Sequence, residues 1–178
     1  MIDRCFSVVV YNRILDSMKC LLVSVLMLIC VLGYGQTTII VVRHAEKEAS
    51  SSRDPDLSPK GKARVAILQR MLGEVSIDQF FSTPYKRTRQ TVSPLTEKRG
   101  KELQEYDPSA QKAFAASLRS YTGQTILVAG HSNTVPALLN HLIGEHRYED
   151  LDEDEYDNLF IVTITDEEVK VICLKYGE

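Results

Sequence analysis

The sequence predicts an α/β fold. The expected architecture is a three-layer sandwich, with helices on both faces of a mainly parallel central sheet and an antiparallel edge. Three observations predict it. Short continuous apolar runs, "TIIVV" at 38–42 and "TILVA" at 125–129, have the composition of strands buried on both faces. Segments with apolar residues at helical spacing alternate with such runs. The last two strand-like runs are joined only by "DEE", which is too short for a crossover, so they pair as an antiparallel hairpin.

Taken in order, the first strand, 38–42, runs into Arg43 and His44, and "EASSSRDPD" at 48–56 is a polar loop. Ser58-Pro59 opens a helix with proline in its first turn; Val65, Leu68 and Leu72 form its apolar stripe and Gly73 ends it. A short strand is expected over 77–81. A helix follows over 88–99, which Pro94 must kink or divide. Residues 102–106 have weak strand character. The helix expected over 108–121 puts Ala110, Phe114, Leu118 and Tyr121 on one face, with Gly123 closing it. After the strand at 125–129 comes a helix over 135–143, stopped by Gly144. The terminal hairpin covers 159–165 and 169–176. No internal repeat or interdomain linker interrupts the pattern.

The chain is 178 residues long, 44% hydrophobic and 25% charged, values that suit one globular domain with a sizeable core. A net charge of -3 gives no reason to expect a nucleic acid or an anionic membrane surface as partner. The first 35 residues do not fit that domain. Met18-Lys19, the apolar run "CLLVSVLMLICVL" at 20–32 and the small residues Gly33 and Gly35 have the form of a secretory signal peptide. The run falls short of the roughly 20 residues that a spanning helix needs. An uncleaved membrane anchor is the alternative, in which case the membrane becomes a partner. Residues 1–17 form an upstream extension, with Met18 the more natural start. Cys173 is the one cysteine after Gly35, so export to a periplasmic or extracellular location would bring no internal disulfide.

Polar residues recur at one address. Arg43-His44, "STPYKR" at 82–87 and "GHSN" at 130–133 each follow a strand. In open α/β sheets ligands bind at the carboxyl ends of strands, where helix N-termini also point. The guanidinium groups of Arg43 and Arg87 can hold a tetrahedral dianion with forked donors. The imidazoles of His44 and His131 can attack it and balance its charge. No P-loop or carboxylate cluster competes, and the set points to phosphoryl transfer through a histidine.

These motifs resemble those of the histidine phosphatase superfamily, which includes the phosphoglycerate-mutase-like enzymes. "VVRHAEK" is similar to its RHG-type signature, "STPYKRTRQT" to its second motif and "VAGHSN" to its third; the helix opening "LSPKGKARV" fits as well. The similarity runs from about Thr38 to Gly144 and is closest to the compact, short branch. It implies a phosphoglycerate-mutase-like fold over residues 36–178. The implied enzyme is a metal-independent hydrolase with no cofactor, acting on a phosphorylated small molecule or phosphoprotein. His44 would take the phosphoryl group as phosphohistidine; Arg43, Arg87 and His131 would bind the phosphate. Ser82, Thr91 and Asn133 would support the site. Related possibilities are a phosphohistidine-protein phosphatase, a mutase, or a module that binds phospholigands without turnover.

The sequence departs from the family pattern in places. Ala45 stands where glycine is usual, which is tolerable if its φ is negative. Ser132 follows His131, so a proton donor must come from elsewhere. Asp107, with Glu105 as the alternative, is the candidate acid in "QEYDPS"; Asp107 could equally cap the next helix, with Pro108 at its first position. Lys86 and Arg89 have the character of solvated cations, and Glu46 and Lys47 that of rim residues. His141 and His146 lack a shared helix face and so are not expected to bind metal. The acidic run 148–157 is expected to be a solvated, mobile loop that could also wall the cleft.

Overall fold

A computed structural model describes residues 35–177 continuously, together with Arg13, Ser17, Met18, Lys19 and Leu21. The expected leader, 1–35, lies almost wholly outside the described residues. The chain divides between Tyr34 and Gly35, and the fold below is that of the second unit. No helix among the described residues is long and apolar enough to cross a membrane.

Ten elements follow in order: β1 (Thr37–Arg43), α1 (Pro59–Met71), β2 (Gln79–Ser82), α2 (Lys86–Arg99), β3 (Leu103–Glu105), α3 (Gln111–Leu118), β4 (Thr125–Gly130), α4 (Thr134–Ile143), β5 (Asn158–Ile164) and β6 (Val169–Lys175). The strands form one sheet in the order β3-β2-β4-β1-β5-β6. The β3, β2, β4 and β1 strands run parallel, whereas β5 pairs antiparallel with both β1 and β6. The α/β sandwich with an antiparallel edge is therefore the observed architecture.

Why the central runs are continuously apolar is visible in the two cores. Ile39, Val41, Ile126 and Val128 point to one face, against Phe114, Leu118, Leu138 and Leu142 of α3 and α4. Ile40, Val42, Leu127 and Ala129 point to the other, against Leu68, Val92 and Leu95 of α1 and α2. Alternate side chains of a strand face opposite ways, so a strand covered on both faces needs apolar residues throughout.

Several boundaries differ from those read off the sequence. Ile77 is buried in the core, but the ladder begins at Gln79, where pairing with β4 starts. Helix α2 starts at Lys86, ahead of the expected Thr88, because Asp54 Oδ1 from the polar loop accepts the Lys86 backbone N–H at 2.9 Å. Pro94 does not divide α2, which is continuous to Arg99. Helix α3 is shorter than 108–121. Asp107 Oδ1 accepts from the Ser109 backbone N–H at 2.8 Å and from its hydroxyl at 2.7 Å, closing a turn that holds Pro108 and Ser109 outside the helix. Ala110, not Asp107, occupies the N-cap position.

The start of α1 is packed against the segment that follows β1. Ser58 caps the helix, its hydroxyl accepting from Gly61 N–H at 3.1 Å, and Ser58 N–H donates to the Glu46 carbonyl at 2.9 Å. A Cβ on Gly61 would stand 2.2 Å from that carbonyl oxygen, so only glycine allows the approach. Glu46 is 8% exposed and Arg64 7% exposed. Arg64 Nε and Nη2 grip the Glu46 carboxylate at 2.8–3.0 Å, and Arg64 Nη1 donates to the Tyr176 carbonyl at 2.7 Å. Glu46 is thus not the rim residue that its position suggests. It is half of a buried ion pair that ties the loop after β1 to α1 and to the end of β6. Gly61→Ala should lower folding stability by about 1–3 kcal/mol through this overpacking. Urea denaturation would show the midpoint falling with an unchanged slope.

Candidate active site

The sheet register brings the three sequence motifs together. Arg43 lies opposite Gly130 across the β1–β4 pair, and Ser82 lies opposite Ala129 across β2–β4. The three strands end level, and His44 and His131 are the next residues on β1 and β4. The His44 backbone N–H continues the ladder onto the Gly130 carbonyl at 2.9 Å. Gly130 itself is tightly surrounded: a Cβ there would be 2.8 Å from Thr134 Oγ1 and 3.1 Å from the Tyr106 hydroxyl. Thr134 Oγ1 accepts the His131 backbone N–H at 2.8 Å, which orients the turn into α4.

Four basic side chains converge on a pocket. The His44 and His131 ring centroids are 5.3 Å apart. His44 Nδ1 is 2.8 Å from the Ala45 carbonyl, which can only accept, so Nδ1 carries the proton. Nε2 then holds the lone pair, and Arg87 Nε donates to it at 3.2 Å. Arg87 Nη2 lies 3.4 Å from His131 Nδ1. One guanidinium therefore spans both imidazoles, while its face covers the Tyr85 ring at 4.5 Å. Its Nη1 pairs with Asp54 at 3.7 Å.

Arg43, 2% exposed, is held differently. Its Nη1 donates to the carbonyls of Asp152 and Glu155 at 2.6 and 2.9 Å, and Nη2 donates to the Glu153 carbonyl at 3.1 Å. The guanidinium stacks on Tyr156 at 4.1 Å. Among the described residues, Arg43 Nε is buried without a hydrogen-bond partner, an unsatisfied charged donor on a side chain that lines the pocket. The acidic run is thus no free solvated loop. Its backbone carbonyls clamp Arg43, and Leu151 N–H donates to the Ser132 carbonyl at 3.0 Å, joining the run to the His131 turn as well. Glu153 lines the pocket, with its carboxylate 3.9 Å from Arg43 Nη2.

Burial lowers the His44 pKa from its ordinary 6.5 to about 3, aided by the positive charges of Arg87 and Arg43 and by His131. Burial likewise lowers His131 to about 4, again with Arg87 and Arg43 contributing. Both rings are consequently neutral near pH 7 while the guanidiniums beside them are charged. A neutral His44 offers its Nε2 lone pair as a nucleophile.

The supporting residues have distinct positions. Thr91 Oγ1 accepts the Ala45 backbone N–H at 3.0 Å and donates to the Arg87 carbonyl at 2.7 Å, linking the His44 segment to α2. Ala45 has no positive φ and is fully buried, so the absent glycine costs nothing here. The Ser82 hydroxyl donates to the Thr83 carbonyl at 3.0 Å, and Asn133 lines the pocket without a side-chain capping bond. Lys47 also lines the pocket.

The two candidate acids are not brought in. Pro108 and Ser109 line the pocket, but Asp107 is fully exposed, and its bonds to Ser109 hold its pKa below the ordinary carboxylate value, a poor state for a proton donor. Glu105 is ion-paired with Arg89. Glu153 is instead the carboxylate at the pocket. Sequence reading also missed Thr83 and Thr88, which lie behind His131, and Tyr85 and Tyr156, which flank the two arginines. Thr83 and Tyr85 sit inside the "STPYKR" motif, but no spacing rule singled them out.

Residues 39–109 match the model of the histidine phosphatase superfamily (branch 1), a stretch that includes Arg43, His44 and Arg87. A curated relative, phosphoserine phosphatase 1 of Hydrogenobacter thermophilus, is 35% identical over 71 residues, covering 36% of this chain and 34% of its own. The chain therefore spans about a third of the length of that relative. The fold is similar to that of the α-ribazole phosphatase from Shigella flexneri, with a TM-score of 0.66 at 15% identity over 79% of this chain and 96% of that one. It is also similar to the protein histidine phosphatase SixA complexed with tungstate, with a TM-score of 0.59 at 15% identity over 78% and 96%. Residues 39–109 are thus similar to the histidine phosphatase superfamily, and the unit from Gly35 onward shares its fold with these solved phosphatases.

The depressed histidine values set a pH dependence of stability. An unfolded histidine titrates near 6.5, above the folded values of about 3 and about 4, so the unfolded chain binds more protons in that window. Their contribution is fully present above pH 6.5 and is lost as the pH falls towards the folded values. The urea midpoint should drop as pH is lowered from 7 to 5, and His131→Asn should flatten that slope.

Proposed function

We propose that the protein is a metal-independent phosphatase that hydrolyses a phosphomonoester through a phosphohistidine on His44 Nε2. The observation that carries this reading is the His44 arrangement. Its Nδ1 proton is fixed on a carbonyl while its unprotonated Nε2 faces a pocket walled by two guanidiniums and a second imidazole. In the first step, Nε2 attacks phosphorus and the bond to the ester oxygen breaks. Arg87, His131 and the free Nε–H of Arg43 offset the charge on the phosphoryl oxygens. Glu153 is the carboxyl group at the pocket: in its protonated form it gives its proton to the departing oxygen, and it takes one back from the water that attacks in the second step. Water then attacks the phosphohistidine, releasing phosphate and restoring neutral His44.

The pocket rim favours a small substrate carrying both charges. Lys47 and Glu153 line it with opposite sign, an arrangement that suits a zwitterionic phosphomonoester such as a phosphorylated amino acid better than a polyanion. The partial match to a phosphoserine phosphatase supports the same substrate class. A panel comparing phosphoserine, sugar phosphates, phosphoglycerate and phosphohistidine peptide should show EDTA-insensitive, vanadate-inhibited hydrolysis, strongest on phosphoserine. His44→Ala should lower kcat/KM on the order of 10³-fold or more and abolish the acid-labile phosphoenzyme. Retained turnover in that variant would sink the mechanism.

Export is proposed on the leader sequence alone. Mass spectrometry of the protein from cell fractions should find an N-terminus near Gln36 outside the cytoplasm. A soluble cytoplasmic product retaining Met18 would overturn it.

A further inference from the structure

Behind His131 lies a short chain of hydroxyl groups. Thr83 and Thr88 are both fully buried. Thr83 Oγ1 is 2.9 Å from His131 Nε2 and 2.7 Å from Thr88 Oγ1. Thr88 Oγ1 is in turn 2.8 Å from the Tyr85 carbonyl and 3.0 Å from the Thr83 carbonyl.

The proton direction along this chain follows from its ends. Carbonyl oxygens can only accept, so the single Thr88 hydroxyl proton goes to them. Thr88 Oγ1 must then accept from Thr83, whose own proton is spent there. Thr83 Oγ1 is left as an acceptor, so His131 Nε2 carries a proton and donates it. The opposite side of the ring gives the same answer. Arg87 Nη2 is a donor without acceptor capacity, and it faces His131 Nδ1 at 3.4 Å. Two independent constraints thus select one tautomer. The edge contact of Tyr85 with the His131 ring, at 5.1 Å and 89°, restricts its rotation further.

We propose that Thr83, backed by Thr88, is a positioning residue: it holds His131 as the Nε2–H tautomer, with Nδ1 presented to the phosphoryl group. The assignment rests on the phosphatase reading for its effect on turnover, but not for its effect on the ring. When a phosphate dianion enters, a proton taken up from solvent at Nδ1 makes His131 a third charged donor beside Arg43 and Arg87, and the hydroxyl chain already accepts from the opposite nitrogen of that cation. The two imidazoles are therefore set in opposite senses. His44 has its Nδ1–H fixed by a backbone carbonyl and presents Nε2, whereas His131 has its Nε2–H fixed by a side chain and presents Nδ1.

Thr83→Val keeps the shape and deletes the acceptor; Thr83→Ser keeps the acceptor and deletes the methyl. In the full-length protein, Thr83→Val should reduce kcat about 10- to 100-fold, the range for lost partners behind a functional histidine. KM should change by no more than about threefold, because Arg43 and Arg87 still bind the phosphate. Nitrogen-15 NMR of the imidazoles should show wild-type His131 as Nε2–H, and Thr83→Val should shift it to a mixture of tautomers. Thr83→Ser should restore both the rate and the tautomer. Equal damage from Thr83→Ser and Thr83→Val would overturn the proposal in favour of packing. An unchanged His131 tautomer in Thr83→Val would also overturn it. If the wild-type protein hydrolyses none of the phosphomonoesters, the phosphatase reading fails, while the NMR comparison still decides the role of Thr83.

Discussion

The register of β1 against β4 is the constraint on which the site depends. Pairing Arg43 with Gly130, and Ser82 with Ala129, makes three parallel strands end at the same level. The residues that follow are then forced into one small volume, although they are far apart in the chain. A slip of a single residue would turn His44 to the opposite face and bury the wrong side of an apolar strand. The two cores prevent that slip, because Val41 and Val42 are each committed to a different helical layer. Packing energy spent on the fold is therefore also what aligns the imidazoles.

Within that frame, the chemistry follows from a separation of charge and proton. The guanidiniums remain charged when buried, whereas imidazoles respond to the same burial by losing their protons. The pocket consequently offers positive charge for an anion alongside an unprotonated nitrogen for attack. Neither property would survive exchange of the roles. A protonated His44 has no lone pair at Nε2, and a neutral side chain in place of Arg87 would neither hold that lone pair in place nor attract phosphate. The hydrogen bonds that the rings donate, His44 to the Ala45 carbonyl and His131 to Thr83 Oγ1, decide which nitrogen of each is presented.

The acidic run has a part that its charge conceals. Residues rich in carboxylates lie against a pocket walled by guanidiniums, whose positive field they should by simple charge counting weaken. Their side chains mostly face solvent, while the backbone carbonyls of Asp152, Glu153 and Glu155 turn inward to Arg43. Three neutral dipoles orient the guanidinium and cancel little of its charge. The run thus trades its side-chain electrostatics for backbone geometry, with Glu153 the member whose carboxylate also reaches the pocket rim.

The alternation of apolar runs and helical stripes made the layer order legible, because burial on two faces leaves a composition that no surface strand shares. The motif positions behind three strands likewise showed Arg43, His44, Arg87 and His131 as one group. Boundaries at α2 and α3 were not legible. They depend on Asp54, which reaches α2 from a distant loop, and on whether Asp107 closes a turn or caps a helix, a choice between two local hydrogen bonds of similar strength. Asp107 and Glu105, expected as candidate acids, are instead engaged by Ser109 and Arg89, and Glu46, expected at the rim, is engaged by Arg64 from a distant helix. The sequence by itself determined the fold class and the basic residues of the site, since both are written in periodicity and residue type. Only the tertiary structure decided the tautomers, the clamp on Arg43 and the carboxylate at the pocket. Each of those is a hydrogen bond or contact between segments that no spacing along the chain connects.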